Sequence, residues 1–128
     1  MNKPHITPFR VYYEDTDAGG VVYHTNYLKF AERARTEWLR SRGFEQGLLL
    51  KNEDSGFAVT RLECDFKAPG RLDDVITVET RLQEASKVRM RLQQIIKRGA
   101  TPLVYLDVTV AWVKKGKPAR LPEMLQTC

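Results

Sequence analysis

The segment from residue 14 to residue 24 concentrates side chains that can do acid–base chemistry. It contains three carboxylates that include Asp17, one of only two histidines, His24, and two glycines between them, Gly19 and Gly20. Carboxylates and imidazoles transfer protons at many active sites, and glycines let the backbone come close to a ligand. We therefore predict that this segment is a loop, between a strand and a helix, that forms an active site.

More than one role is compatible with these residues. Asp17 could act as a general base on water or could attack an acyl carbon itself. Free backbone N–H groups at the start of the following helix would then stabilise a developing oxyanion. The alternative is structural: Asp15 and Asp17 would cap turns through their side chains, and His24 would be a polar residue near a helix start. The residues alone leave both interpretations open.

The segment does not fit the common metal and phosphate motifs. An EF-hand loop that begins at Asp15 would need acidic ligands where this chain has Gly19 and Asn26. The sequence has no Cys/His cluster for zinc, and no Lys-Ser/Thr pair follows the glycines as in a Walker loop. We therefore expect no metal site.

Length and composition limit the class of protein. The chain has 128 residues and no internal repeat or linker, so we expect one domain over residues 1–128. Its net charge of +5 suits an anionic partner such as nucleic acid, a phosphorylated cofactor or an acidic carrier protein.

No apolar run is long enough to span a membrane, and the first ten residues do not resemble a signal peptide. With Cys64 and Cys128 interpreted as reduced thiols, we expect a cytoplasmic protein.

Apolar residues at helical spacing predict a long helix from Asn26, as N-cap, to about Arg42. Its apolar stripe consists of Tyr27, Ala31, Ala34 and Trp38. Gly43 would end the helix, because glycine readily adopts the left-handed conformation found at helix ends. A helix with one apolar face needs a sheet to pack on.

Alternation of apolar and polar residues with a period of two predicts strands over most of the remaining chain. The predicted strands are residues 9–14, 57–66, 75–82, 87–96 and 103–113. A short helical turn is expected at residues 45–50, a polar loop at 52–56, and a basic tail from residue 114 to residue 118. Short turns between the later strands favour antiparallel neighbours. The order of elements predicts an α+β domain with five strands around one helix.

One motif, YEDTDAGGVVYH, extends from Tyr13 to His24 and is followed by Asn26-Tyr27 and by ERARTE at residues 32–37. Together these residues closely resemble the hotdog-fold acyl-CoA thioesterases, and most closely the YbgC type, often associated with the bacterial Tol-Pal system, within the 4-hydroxybenzoyl-CoA thioesterase family. The likeness continues through residues 66–69, 73–74 and 118–122. It implies a hotdog fold, with a long central helix wrapped by a five-stranded antiparallel sheet. It also implies a homo-oligomer that pairs sheet edge to sheet edge, often as a dimer of dimers.

The resemblance assigns roles within the motif. It implies that Asp17, rather than Asp15, is the catalytic carboxylate, acting as general base or nucleophile. It implies that His24 accompanies it and that the His24 backbone N–H is the oxyanion donor. The residues expected to bind or line the substrate are Gly19, Gly20, Tyr13 and Tyr27, although each tyrosine is at least as compatible with the core. Some related enzymes use a helix carboxylate instead; for Glu32 we favour a structural ion pair with Arg35.

The implied reaction is hydrolysis of an acyl-CoA to a free acid and coenzyme A, with no cofactor because coenzyme A is part of the substrate. Lys87, Arg89 and Arg91 share one face of a predicted strand, and a second basic cluster consists of Lys114, Lys115 and Lys117. Either group could hold the coenzyme A nucleotide or an acyl carrier protein, or simply be solvated. The remaining alternatives are a hotdog dehydratase, a non-catalytic acyl-CoA or carrier-protein binding module, and a nucleic-acid binder. No nucleic-acid motif is present, so we expect no nucleic-acid partner.

Overall fold

The computed structural model describes residues 3–122 and residue 125. Its elements in chain order are β1 (His5–Arg10), a 3-10 turn (Tyr13–Asp15), α1 (His24–Ser41), α2 (Gln46–Glu53), β2 (Ser55–Phe66), β3 (Val75–Ala85), β4 (Arg89–Arg98), β5 (Thr101–Lys114) and β6 (Lys117–Pro118). The predicted α+β order of strand, long helix and further strands is confirmed. The described sheet has five long strands, as expected, and gains the two-residue β6, which the sequence analysis treated as a tail.

All strand pairs are antiparallel, and the long strands lie side by side in the order β1-β3-β4-β5-β2, with β6 beside β5. The long helix α1 packs mainly on β3, β1 and β4. It leaves the far strand β2 as a long edge of 12 residues. The sheet is therefore covered on one side by a helix that does not extend over its whole width.

The helix prediction is largely confirmed. Tyr27, Ala31, Ala34 and Trp38, the predicted apolar stripe, are all buried. Gly43 adopts a φ of +87° just beyond the end of α1, as expected for a helix-ending glycine. The start was misplaced by three residues: the N-cap is Tyr23 rather than Asn26, because the Asn26 side chain binds the Asp15 carboxylate instead.

The first strand was also misplaced. It ends at Arg10 instead of continuing to residue 14. The chain leaves the sheet there because the Asp15 carboxylate accepts the backbone N–H of Tyr12 and closes the 3-10 turn. The alternation of apolar and polar residues continues past Arg10, so periodicity could not reveal this change.

Two smaller predictions need correction. The short helix extends to Glu53 and β2 already begins at Ser55, so the expected polar loop is much shorter. The basic tail is a hairpin, in which Lys115 and Gly116 both have positive φ angles and reverse the chain into β6. Two successive residues with positive φ are typical of tight hairpins that match the twist of the sheet.

A buried polar cluster joins α1 to the sheet. The side chain of Gln94, on β4, donates to the carbonyl oxygen of Ala31 at 2.9 Å and to the Thr80 hydroxyl at 3.0 Å. Its oxygen accepts a hydrogen bond from Arg35 at 2.9 Å. Arg35 therefore binds Gln94 rather than forming the predicted ion pair with Glu32. Burial lowers the pKa of Arg35, and the nearby charge of Glu32 partly offsets this effect.

Within the described residues, none of the helices has the length and apolar character needed to cross a bilayer. Cys64 is a partly buried free thiol; burial, and then the charge of Asp65, raises its pKa. Cys128 lies outside the described residues.

We expect Gln94→Leu to lower the free energy of unfolding by about 2–4 kcal/mol, because it leaves a buried carbonyl, a buried hydroxyl and the Arg35 guanidinium without their partner. Urea denaturation would measure this loss. The matched control is Gln93→Leu, the same change one residue earlier on the opposite face of β4, where we expect a change within about 0.5 kcal/mol. Equal losses in the two variants would show that the cluster contributes nothing specific.

Candidate active site

The loop between the 3-10 turn and α1 folds into a small antiparallel ribbon. Thr16 pairs with Val22, and Val21 pairs with Arg71, which follows β2 in the chain. The amide of Asp17 donates to the carbonyl oxygen of Val21 at 2.9 Å, and the amide of Val22 donates to that of Gly70 at 2.8 Å. Three short segments thus lie side by side, with residues 21–22 in the centre and residues 16–17 and 70–71 on either side. We call this unit the ribbon.

The two glycines of the motif shape the turn that carries Asp17. The Gly20 amide donates to the Asp17 carbonyl oxygen at 3.0 Å, and Gly20 has a φ of +78°, a conformation that favours glycine. The Gly19 amide donates to the Asp17 carboxylate at 2.8 Å. A Cβ atom at Gly19 would lie 3.1 Å from that carboxylate oxygen. The glycines therefore fix the orientation of the Asp17 side chain.

The two aspartates of the motif have different environments. Both carboxylate oxygens of Asp15 are engaged, one by the Tyr12 amide at 2.8 Å and the other by the Asn26 side chain at 3.1 Å. Asp17 is exposed, and only its Oδ1 atom accepts a hydrogen bond from the described residues. Asp15 therefore holds the loop together, whereas the second oxygen of Asp17 is open to a substrate or water.

His24 is the first residue of α1. Its exposed ring lies tilted against Tyr23, with 4.7 Å between ring centroids, and is edge-on to Phe66 at a centroid distance of 6.2 Å. The first backbone N–H groups of a helix have no hydrogen-bond acceptor within the helix. None of the described residues outside α1 accepts a hydrogen bond from the backbone N–H of His24 or Thr25. Asp17 and His24 lie at the same end of α1, but their side chains are not hydrogen-bonded to each other.

Tyr27 lies beneath the ribbon. Its ring is buried, and its hydroxyl oxygen accepts the Gly70 N–H at 2.8 Å. A Cβ atom at Gly70 would lie 3.2 Å from a methyl group of Val22, so the two segments pack closely. Burial raises the pKa of Tyr27. Tyr27 is thus a core residue that supports the ribbon, whereas Tyr13 has 82% of its surface exposed.

The segment after β2 is held by Asp74. Its carboxylate accepts the Arg71 amide at 2.9 Å and the Arg98 guanidinium at 3.0 Å, and Arg98 also donates to the carbonyl oxygen of Pro69. Burial alone would raise the pKa of Asp74, but these hydrogen bonds and the two positive charges lower it overall.

Sequence reasoning did not select Arg71, because its place beside the loop depends on a long-range pairing with Val21 that no local pattern signals.

The basic residues proposed for the coenzyme lie elsewhere in the subunit. Arg89 begins β4, whereas Arg98, which ends that strand, is the residue that lies near the ribbon. The ends of a ten-residue strand are about 30 Å apart. Lys87 precedes β4, and Arg91 is paired with Glu84 and Asp107, both at 2.9 Å. One subunit therefore does not bring Lys87, Arg89 and Arg91 to the loop.

An open groove of about 490 Å³ lies on the face of the sheet opposite α1. Its lining includes the carboxylates Glu63, Asp65 and Asp107. An acidic lining does not suit an anionic coenzyme, so the groove is not part of this site. Among the described residues, no three His, Cys, Asp or Glu side chains converge in a way that could hold a metal ion.

Comparison with known proteins identifies the class. Residues 19–105 match the model of the thioesterase superfamily. Acyl-CoA thioesterase YbgC of Haemophilus influenzae is 45% identical over 118 residues, which cover 91% of this chain and 87% of that protein. The crystal structure of a probable thioesterase from Bartonella henselae is 40% identical, with a TM-score of 0.90 over 93% of this chain and 99% of that one. A 1,4-dihydroxy-2-naphthoyl-CoA thioesterase from Synechocystis is 26% identical, with a TM-score of 0.89 over 97% of this chain and 93% of that one.

The fold is therefore the hotdog fold of thioesterases. The chain belongs to the thioesterase superfamily and, within it, to the YbgC type, so it is a thioester hydrolase. This confirms the family expected from the motif and disfavours the dehydratase, binding-module and nucleic-acid alternatives.

We expect Tyr27→Phe to lower the free energy of unfolding by about 1–2 kcal/mol, because the Gly70 N–H then lies buried without an acceptor. Denaturation in urea would measure the loss, and faster hydrogen exchange at the Gly70 amide would locate it. Tyr105→Phe is the matched control, since the described residues offer the Tyr105 hydroxyl no partner; its effect should stay within about 0.5 kcal/mol. A slow Gly70 amide in Tyr27→Phe would contradict the proposed support of the ribbon.

Proposed function

We propose that this chain is an acyl-CoA thioesterase in which Asp17 is the catalytic carboxylate. The observation that carries the proposal is the placement of an exposed, partly unpartnered carboxylate at the N-terminal end of α1. The acidic residue would supply the base or nucleophile, and the helix end would supply hydrogen-bond donors and a positive dipole.

The reaction needs no metal and no redox cofactor. As a general base, Asp17 removes a proton from water, whose oxygen attacks the thioester carbonyl carbon. The carbonyl oxygen becomes an oxyanion that accepts the backbone N–H of His24. Collapse of this intermediate breaks the carbon–sulfur bond, and the thiolate leaves and takes up a proton. As a nucleophile, Asp17 would instead form an anhydride that water then hydrolyses.

The acyl-CoA substrate is proposed from the relatives. The similar proteins of Haemophilus influenzae and Synechocystis are both named as acyl-CoA thioesterases, and the second acts on an aromatic acyl group. An acyl carrier protein presents the same phosphopantetheine arm and is the alternative substrate. Gly19 and Gly20 would let the thioester approach the turn, and the exposed ring of Tyr13 would border the acyl group. We expect these reactions in the cytoplasm.

We also propose that the functional unit is a homo-oligomer, with a dimer of dimers as the expected form. The edge strand β2 exposes backbone that can pair with a second copy. Three of its residues, Leu62, Cys64 and Phe66, pair with buried residues of β5 and so point to the helix side of the sheet. They remain partly or largely exposed, because α1 packs over the other strands. Phe66 also contacts His24, so a second subunit seated here would border the site.

We expect Asp17→Asn to lower kcat by about 100-fold or more, because it removes the base or nucleophile. The amide oxygen can still accept the Gly19 N–H, so thermal stability should be little changed. Thiol release from short, long and aromatic acyl-CoAs is the assay. The matched control is Asp54→Asn, the same change at an exposed carboxylate near the opposite end of β2, which should keep wild-type activity. A stable Asp17→Asn enzyme with normal kcat would rule out a catalytic Asp17 without affecting the family assignment.

We expect Leu62→Lys to shift the protein towards the monomer and to reduce activity. The change places a charge among the apolar β2 side chains that α1 leaves uncovered and that a second subunit would bury. Light scattering coupled to size-exclusion chromatography would measure the mass. Ile6→Lys makes the same change at an exposed position of β1, the opposite edge, and should leave the oligomer intact. Dissociation of Ile6→Lys, but not of Leu62→Lys, would move the interface to the β1 edge.

A further inference from the structure

The ribbon has an inner and an outer row of side chains. The inner row consists of Thr16, Val22 and Gly70. Val22 is 4% exposed and packs against Gly70, which lies over the Tyr27 hydroxyl. Successive residues of an extended segment point to opposite faces. The residues next to this inner row must therefore face away from the core.

The outer row consists of Asp17, Val21 and Arg71, one residue from each of the three segments. Asp17 and Arg71 are both exposed, as this alternation requires. Neighbouring strands are about 4.8 Å apart, so the backbone positions of Asp17 and Arg71 are about 10 Å apart, with Val21 between them. The guanidinium of Arg71 thus extends from the same face as the proposed catalytic carboxylate.

The Arg71 guanidinium forms no ion pair and no side-chain hydrogen bond with the described residues, although its charge acts on the neighbouring Asp74 carboxylate. The Asp74 carboxylate, three residues further along the chain, accepts hydrogen bonds from the backbone amide of Arg71 and from the Arg98 side chain. These bonds also fix the backbone from which the Arg71 side chain extends. Other arginines on the sheet, such as Arg91, are paired with carboxylates. Arg71 is therefore a positive charge on a fixed backbone segment, with unused hydrogen-bond donors, on the same face as Asp17 and about 10 Å from it.

We propose that Arg71 binds an anionic group of the thioester substrate. The inference deepens the proposed function and rests on it. A guanidinium offers planar, paired N–H donors that match the oxygen atoms of phosphate or carboxylate. Two parts of a substrate carry such an anion: the phosphates at the far end of the pantetheine arm, and a carboxylate on the acyl group. Both present the same chemistry to Arg71, and substrates that separate them decide which anion it binds.

Four thioesters separate the two sources: butyryl-CoA, succinyl-CoA, butyryl-pantetheine and succinyl-pantetheine. The coenzyme A compounds carry phosphates, the succinyl compounds carry an acyl carboxylate, and butyryl-pantetheine carries neither. The enzymes to compare are the wild type, Arg71→Gln and Arg71→Lys. Arg40→Gln is the control, because it removes the same charge from an exposed residue in the last turn of α1, about 24 Å along the helix from His24.

We expect Arg71→Gln to raise KM by about tenfold or more for each substrate that carries the recognised anion, with kcat little changed. Arg71→Lys should recover part of the loss because it keeps the charge. Arg40→Gln should match the wild type. A loss limited to the coenzyme A thioesters identifies the phosphate as the ligand, whereas a loss limited to the succinyl thioesters identifies the acyl carboxylate.

Two results would overturn the inference. One is an Arg71→Gln enzyme that matches the wild type on all four thioesters. The other is an equal loss on butyryl-pantetheine, which has no anion, because that would indicate a disturbed ribbon instead of a lost contact. A wild-type enzyme that hydrolyses neither these four nor the long and aromatic acyl-CoAs would overturn the proposed acyl-CoA activity as well, so the two failures can be told apart.

Discussion

The site depends on the docking of residues 21–22 against residues 70–71. The Val22 amide binds the Gly70 carbonyl, and the Gly70 amide binds the Tyr27 hydroxyl, so one glycine connects the loop, the helix and the end of β2. These bonds are buried, and a buried amide without its partner is costly. The loop is therefore held in one position, and the glycine turn that carries Asp17 extends from a fixed base.

The helix must also be fixed along its length, because its first residue supplies the proposed oxyanion donor. The Tyr27 hydroxyl anchors its first turn, and the cluster around Gln94 anchors its middle through Arg35 and the Ala31 carbonyl. Apolar packing alone is not directional and tolerates small sliding movements, whereas these hydrogen bonds require a particular position along the sheet. The two anchors together set where the N-terminal end of α1 lies relative to Asp17.

The sequence was sufficient for the features that depend on local pattern. The helix stripe, the ending at Gly43 and most strands follow from spacing, and the loop motif identified the family. Its assignment of catalysis to Asp17 rather than Asp15 stays a prediction. Features that depend on distant pairing were missed or misassigned. Arg71 is brought to the loop only by its pairing with Val21. Gln94 lies among apolar residues on the buried face of β4, and nothing in the local sequence indicates its hydrogen-bond partners. The strand predicted at residues 9–14 was wrong beyond Arg10 because a side-chain hydrogen bond overrides alternation there.

Three aspartates around the ribbon illustrate how the fold assigns different functions to one residue type. Asp15 and Asp74 each accept hydrogen bonds on their carboxylates from both a backbone amide and a side chain, and these bonds hold the 3-10 turn and the segment after β2 in place. Burial alone would raise the pKa of Asp74, but its hydrogen bonds and the charges of Arg98 and Arg71 lower it overall, which makes Asp74 a weaker base than an ordinary carboxylate. Asp17 accepts one backbone amide, at one oxygen, from the part of the chain that the structure describes. The other two carboxylates thus make the loop rigid, and that rigidity is what allows Asp17 to keep one oxygen uncommitted and still hold a defined orientation.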